Sequence, residues 1–188
     1  MLAALVVGAP LPVSTDRLIE EIWQGSPPAS AINLVQGYVA SLRRALGDAD
    51  GQLLRTQAPG YQLVLPPEEL DVGRLESLTD QGKRALAGGR SRIASDLLAE
   101  ALRLWRGQPF TDVVTTGAVA AETARLEQLR LAALEARIDA DLNLGRHGDL
   151  VPELQALTEA HPLLERFWGQ LMLALYRSGR QAEALDAY

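Results

Sequence analysis

Apolar positions recur at helical spacing along the first third of the chain. The pattern predicts three helices, at Leu2–Val7, Asp16–Trp23 and Ser30–Leu46. Ser14 or Thr15 is placed to cap the second helix, and Gly47 is placed to end the third. The inward positions of the third helix repeat at spacings of four, three and four residues: Val35, Val39, Leu42 and Leu46.

Two short β-prone runs follow the third helix. Leu53–Thr56 and Tyr61–Leu65 flank a turn at Ala58-Pro59-Gly60, a pattern typical of a β-hairpin. The order of two helices, a short loop between them and a hairpin is that of a winged helix-turn-helix. The Pro-rich stretch Leu65–Pro67 then predicts a boundary near residue 66, with one domain over residues 1–66 and another over 67–188.

The third predicted helix has two unlike faces. Opposite its apolar stripe lie small and amide-bearing side chains, with arginines at its C-terminal end and in the hairpin. These residues are Asn33, Gln36, Gly37, Ala40, Ser41 and Arg44. Arg43 lies at the edge of the apolar stripe, and Arg55 lies in the hairpin. Because Gln and Asn can pair with adenine edges, and Arg with guanine or phosphate, this face suits the major groove of DNA. It suits solvent equally well.

Charge does not decide between these alternatives. Residues 1–65 contain four arginines (17, 43, 44 and 55) and five acids (16, 20, 21, 48 and 50), so they carry no basic excess. Composition alone is therefore compatible with a small helical interaction module as well as with a DNA-binding domain. The whole chain has 188 residues, a net charge of −6 and 47% hydrophobic residues, which excludes intrinsic disorder.

The remainder of the chain is predicted to be helical throughout. The predicted spans are Val72–Leu86, Ile93–Arg106, Val119–Leu144, Leu150–Ala160, Leu163–Ser178 and a helix starting at Gln181. Leu144-Gly145-Arg146-His147 recurs as Ser178-Gly179-Arg180-Gln181, an offset of 34 residues. This offset is the tetratricopeptide period, so we expect stacked helix pairs. The predicted fold class is mainly α, a winged helix-turn-helix with a C-terminal β-hairpin followed by a tetratricopeptide-like helical repeat domain.

Candidate chemistry is sparse. The chain lacks cysteine and any Gly-rich phosphate loop, and it contains only two histidines, so we expect no catalytic residue, metal site or cofactor. Acidic residues on the long predicted helix are interpreted as a solvated, charge-balanced face; they are Glu122, Glu127, Glu135, Asp139 and Asp141. The first residues lack a basic leader and an apolar run of about 20 residues, which predicts a cytoplasmic protein without membrane association.

Longer segments of the chain resemble the SARP family of bacterial transcriptional activators. They include ASAINLVQGYVASLRRALG, and the most specific of them are LRLWRG and LYRSGRQAEAL. The resemblance implies an OmpR/PhoB-type winged helix fused to a bacterial transcriptional activator domain. It places Gln36, Gly37, Ala40 and Ser41 toward bases, and Arg43 and Arg44 toward phosphates. Arg55 and Thr56 would lie near the DNA backbone in the wing.

The resemblance also implies partners and an activity. Homodimers would bind direct repeats in double-stranded DNA near a promoter and contact RNA polymerase, activating a biosynthetic or pathway-specific gene cluster. A tetratricopeptide-type interaction scaffold without DNA binding is the alternative. An enzyme is not expected, because no catalytic constellation is present.

The chain departs from the family pattern in three places. The wing tip Gln57-Ala58-Pro59 has no arginine, so reading of the minor groove by the wing is not expected. The small β-sheet that precedes the first helix in the family is missing, and the sequence stops early in its last predicted helix. We therefore expect a chain that is truncated at both ends.

Overall fold

The computed structural model describes residues 1–111, 113 and 117–187. The helices are α1 (Leu2–Gly8), α2 (Thr15–Trp23), α3 (Ala31–Leu46), α4 (Asp71–Ala87), α5 (Ser91–Arg103), α6 (Gly117–Asn143), α7 (His147–Ala160), α8 (Glu165–Arg177) and α9 (Gln181–Asp186). The strands are β1 (Val13–Ser14), β2 (Leu54–Gln57) and β3 (Gly60–Leu63). The mainly helical fold class predicted from the sequence is confirmed.

The chain forms two compact units that are not consecutive in sequence. Met1–Leu70 and Gly107–Glu127 belong to the first unit, and Asp71–Arg106 and Gln128–Tyr188 belong to the second. The predicted division of the chain at residue 66 stays a prediction.

The first unit contains the predicted winged helix-turn-helix. Helices α1, α2 and α3 lie within two residues of their predicted limits. Ser14 caps α2, because its hydroxyl accepts a hydrogen bond from the backbone N–H of Arg17 at 3.2 Å. Strands β2 and β3 form the predicted antiparallel hairpin, with Leu54 opposite Leu63.

A short strand that the sequence pattern did not predict completes the sheet. Strand β1 pairs antiparallel with β3, which gives the order β1-β3-β2. Two residues are too few to show an alternating pattern, so only pairing with β3 identifies them as a strand. Side chains from all three helices and the sheet fill the core of this unit: Ala4, Leu5, Val13, Leu18, Val35, Val39, Leu54, Tyr61 and Leu63.

The second unit is built from helix pairs joined by tight turns. The repeated glycines at the predicted 34-residue offset, Gly145 and Gly179, have nearly equal φ angles of 82° and 80°. This left-handed backbone conformation is readily adopted by glycine and ends α6 and α8 in the same way. Buried alanines let α5 and α6 approach closely: Ala94, Ala133, Ala136 and Ala140.

One acidic residue of α6 contradicts the predicted solvated face. Asp141 is buried, and its carboxylate accepts hydrogen bonds from Ser95 Oγ at 2.7 Å, Arg137 Nη1 at 2.9 Å and Arg146 Nη1 at 2.6 Å. Ser95 lies in α5 and Arg146 precedes α7, so neighbouring elements cover this side of α6. The prediction was wrong for Asp141, because a paired carboxylate can be buried where the pattern along one helix shows only a polar position.

Two helix ends in the second unit differ from their predicted limits by three residues. Helix α5 ends at Arg103, three residues before the predicted end, and α7 begins at His147, three residues before the predicted start. None of the helices formed by the described residues has the length and apolar run that crossing a membrane requires.

Candidate nucleic-acid interface

Helix α3 presents the predicted polar face to solvent. Its inward side chains Val35 and Val39 are fully or almost fully buried against the core of the first unit. Because Val35 and Val39 lie on one side of the helix, the residues on the opposite side face outward. The exposed residues on that outward side are Asn33, Gln36, Gly37, Ala40, Ser41 and Arg44. The structure thus brings six of the nine predicted site residues onto one exposed surface, which we call the α3 outward face.

Arg43 lies in a different environment from its neighbour Arg44. Its Nε and Nη2 donate hydrogen bonds to the backbone oxygen of Leu54, at 2.9 Å and 2.6 Å. Nη2 also donates to Thr56 Oγ1 at 3.0 Å. The half-buried guanidinium of Arg43 therefore joins the last turn of α3 to strand β2.

The other predicted cations remain at the surface. Arg44 is exposed, and among the described residues it has no hydrogen bond or ion pair. Arg55 is exposed on β2 and bonds only locally, with Nε 3.2 Å from the backbone oxygen of Gln52. Both guanidiniums keep donors that can reach a ligand, whereas Thr56 is the acceptor of the Arg43 bond.

Asp48 organises the loop between α3 and β2, although the sequence pattern did not single it out. Its carboxylate accepts hydrogen bonds from the backbone N–H groups of Gln52, Leu53 and Leu54, at 2.7, 3.0 and 2.8 Å. These bonds, the one from Leu54 above all, lower the pKa of Asp48, and the charge of Arg43 adds to the effect. The available signal was an aspartate next to the helix-ending Gly47, where such side chains often bind backbone N–H groups.

An aromatic pair joins the two helices of the helix-turn-helix. The rings of Trp23, at the end of α2, and Tyr38, in α3, stack with centroids 6.3 Å apart and planes 24° apart. Such a pair adds about 0.5–1.5 kcal/mol beyond its buried area. The contact fixes α3 against α2 and leaves the α3 outward face free.

Comparisons with known proteins match this architecture. A family model for the bacterial transcriptional activator domain matches residues 70–188. The regulatory protein DnrI of Streptomyces peucetius is 44% identical over the whole chain, which spans 71% of that protein. The regulatory protein AfsR of Streptomyces coelicolor is 41% identical, and the chain spans 19% of it.

A solved structure shares the fold. Mycobacterium tuberculosis EmbR, in complex with a low-affinity phosphopeptide, superimposes with a TM-score of 0.95 at 37% identity. The match covers all of this chain and 50% of that chain. These relatives are regulatory proteins, the domain match covers more than half of the chain, and the alignments with the relatives cover all of it. The chain therefore belongs to the SARP family of bacterial transcriptional activators, with a bacterial transcriptional activator domain over residues 70–188.

Proposed function

We propose that this activator reads double-stranded DNA with the α3 outward face placed in the major groove. The observation that carries the proposal is the position of Gly37. It lies in the middle of α3, exposed, with no atom within 4 Å of the place where a Cβ would be. A glycine inside a helix costs about 0.5–1 kcal/mol relative to alanine. Since the fold gains nothing from it, we assign Gly37 to close approach of the backbone to base pairs.

The neighbouring residues supply the chemistry of readout. Gln36 carries both a donor and an acceptor, which match the two groups on the major-groove edge of adenine. Asn33 and Ser41 are further polar residues on the same face that can bind bases. The side chain of Ala40 is small enough for base edges to lie close to the helix. In this proposal Gln36 and Ser41 determine base preference.

The cations of this unit position the protein on the duplex. Arg44, in the last turn of α3, and Arg55, on β2, project exposed guanidiniums that suit phosphate contacts. Thr56 lies next to Arg55 at the same edge of the hairpin. Phosphate contacts of this kind fix orientation without reading sequence.

The wider activity is proposed at the level of the family. Homodimers of the chain would bind direct repeats near a promoter and contact RNA polymerase through the helical unit, activating a pathway-specific gene cluster. This role requires no catalysis and places the protein in the cytoplasm with the chromosome. The tetratricopeptide-like helix pairs of the second unit are compatible with protein contacts of this kind.

A binding selection on randomised duplex DNA tests the proposal. The wild-type chain and Gln36→Ala are compared with Gln155→Ala, which removes another exposed glutamine, from α7 in the other unit. Gln36→Ala should lose preference at one base pair per half-site, worth about 1–3 kcal/mol of discrimination. Gln155→Ala should select the wild-type sequence.

Two outcomes would contradict the proposal. Identical preferred sequences for wild type and Gln36→Ala would show that α3 does not read bases at this position. Absence of any salt-dependent binding by the wild-type chain would favour the interaction scaffold instead, because phosphate contacts must weaken as counterions compete.

A further inference from the structure

We infer that Arg43 is a positioning residue that holds the β2–β3 hairpin against helix α3, and that it supports DNA binding through the hairpin rather than through a phosphate. This inference rests on the proposed function for its effect on DNA, and on the geometry of the first unit for the contact itself.

The hydrogen bonds of Arg43 use the fork of the guanidinium. Nε and Nη2 both donate to the backbone oxygen of Leu54, and Nη2 also reaches the hydroxyl of Thr56. Gly51 leaves room for the group beside the loop, because a Cβ at this position would lie 3.3 Å from Arg43 Nε. The guanidinium thus lies between the end of α3, the loop and the first and third positions of strand β2.

The loop beside this guanidinium is fixed by an opposite charge. The buried carboxylate of Asp48 accepts three backbone N–H groups at residues 52 to 54. Arg43 therefore binds the backbone oxygen of Leu54, while Asp48 binds its backbone N–H group. The two charged side chains hold the same peptide segment at the C-terminal end of helix α3.

This arrangement has a direct consequence for the proposed interface. Residue 55 follows Leu54 and carries an exposed arginine, while Thr56 is itself a partner of Arg43. The position of the Arg55 guanidinium relative to the α3 outward face then depends on Arg43. An arginine with Nε and Nη2 engaged in this way is a poor candidate for an independent phosphate contact.

Arg43 and Arg44 should therefore have different roles, although they are neighbours in the sequence. The experiment compares wild type, Arg43→Ala, Arg43→Lys and Arg44→Ala in the full chain. Binding to a selected duplex is measured by fluorescence anisotropy between 50 and 200 mM salt, a range in which phosphate contacts are strongly attenuated. Amide hydrogen exchange over residues 52–57 is measured on the same samples without DNA.

Arg43→Ala should weaken DNA binding and should accelerate exchange at residues 52–57 about tenfold or more, since hydrogen bonds to a charged group are lost. Its salt slope should fall by about 0.9 at most, which is the contribution of the displaced Arg55. Arg43→Lys should behave in the same way, because an ammonium keeps the charge but lacks the fork. Arg44→Ala should instead lower the salt slope by about 0.9 and leave hairpin exchange unchanged.

A lower salt slope in Arg43→Ala that lysine restores would identify a phosphate contact and overturn the inference. Unchanged hairpin exchange in Arg43→Ala would overturn it as well. If Arg43→Ala fails to fold, Arg43→Lys supplies both readouts. Failure of the wild-type chain to bind any duplex would refute the proposed function, and the exchange data would still decide whether Arg43 holds the hairpin.

Discussion

Replacing Gly37 by alanine should stabilise the chain and at the same time weaken its DNA binding. The added methyl group meets no atom within 4 Å, so it introduces no clash in the free protein. A helix interior favours alanine over glycine by about 0.5–1 kcal/mol. For a chain of this size, each kcal/mol raises the melting temperature by about 2–4 °C. We therefore expect an increase of about 1–4 °C.

The same methyl group should obstruct contact with bases. If the backbone of α3 lies against base edges, the methyl group must displace it, and an extra methyl in a packed contact costs about 1–3 kcal/mol. Affinity for the selected duplex should then fall about fivefold or more, since 1.4 kcal/mol corresponds to a factor of ten. Non-specific affinity should change much less, because phosphate contacts supply it.

Gly169 provides a matched control for this prediction. It also lies inside a helix, α8, is exposed, and has no atom within 4 Å of its Cβ position. Thermal melts and anisotropy titrations of Gly37→Ala and Gly169→Ala should show similar stabilisation, with lost affinity only in the former. Equal DNA affinity in both variants would refute our explanation of Gly37.

Three further predictions concern stability. Gly82→Ala should destabilise the chain in urea unfolding by about 1–3 kcal/mol, because its Cβ would lie 2.5 Å from Leu98 Cγ in the helical unit; unchanged stability would show that Leu98 moves freely. Asp141→Ala should cost about 1.5–3 kcal/mol in the same assay, since Ser95 and Arg146 lose their hydrogen bonds to this carboxylate and Arg137 keeps only Glu153; a loss below about 1 kcal/mol would contradict this. The lowered pKa of Asp48 means that its contribution to stability is present above about pH 4 and is lost as the pH falls through the folded-state value. Denaturation midpoints of Asp48→Asn should accordingly depend less on pH below about 4 than those of wild type.

The helices and the hairpin could be predicted because their signals are local. Helix α3 was predicted to within one residue, since its apolar spacing and the following glycine act within a few turns of one another. The α3 outward face followed from the same periodicity, because burying Val35 and Val39 leaves the opposite positions exposed. The 34-residue offset likewise predicted the helix pairs, since each repeat places its turn glycine at the same point.

The sequence could not distinguish Arg43 from Arg44, or Asp141 from the other acids of α6. Each distinction depends on partners distant in the chain: Arg43 bonds to Leu54, and Asp141 bonds to Ser95, 46 residues away. Strand β1 depends in the same way on pairing with β3: Val13 lies opposite Tyr61, 48 residues away, and Ser14 lies opposite Gly60, 46 residues away. Periodicity records which face of an element is buried, but the hydrogen-bond partner of a polar side chain is decided only when other elements pack against it.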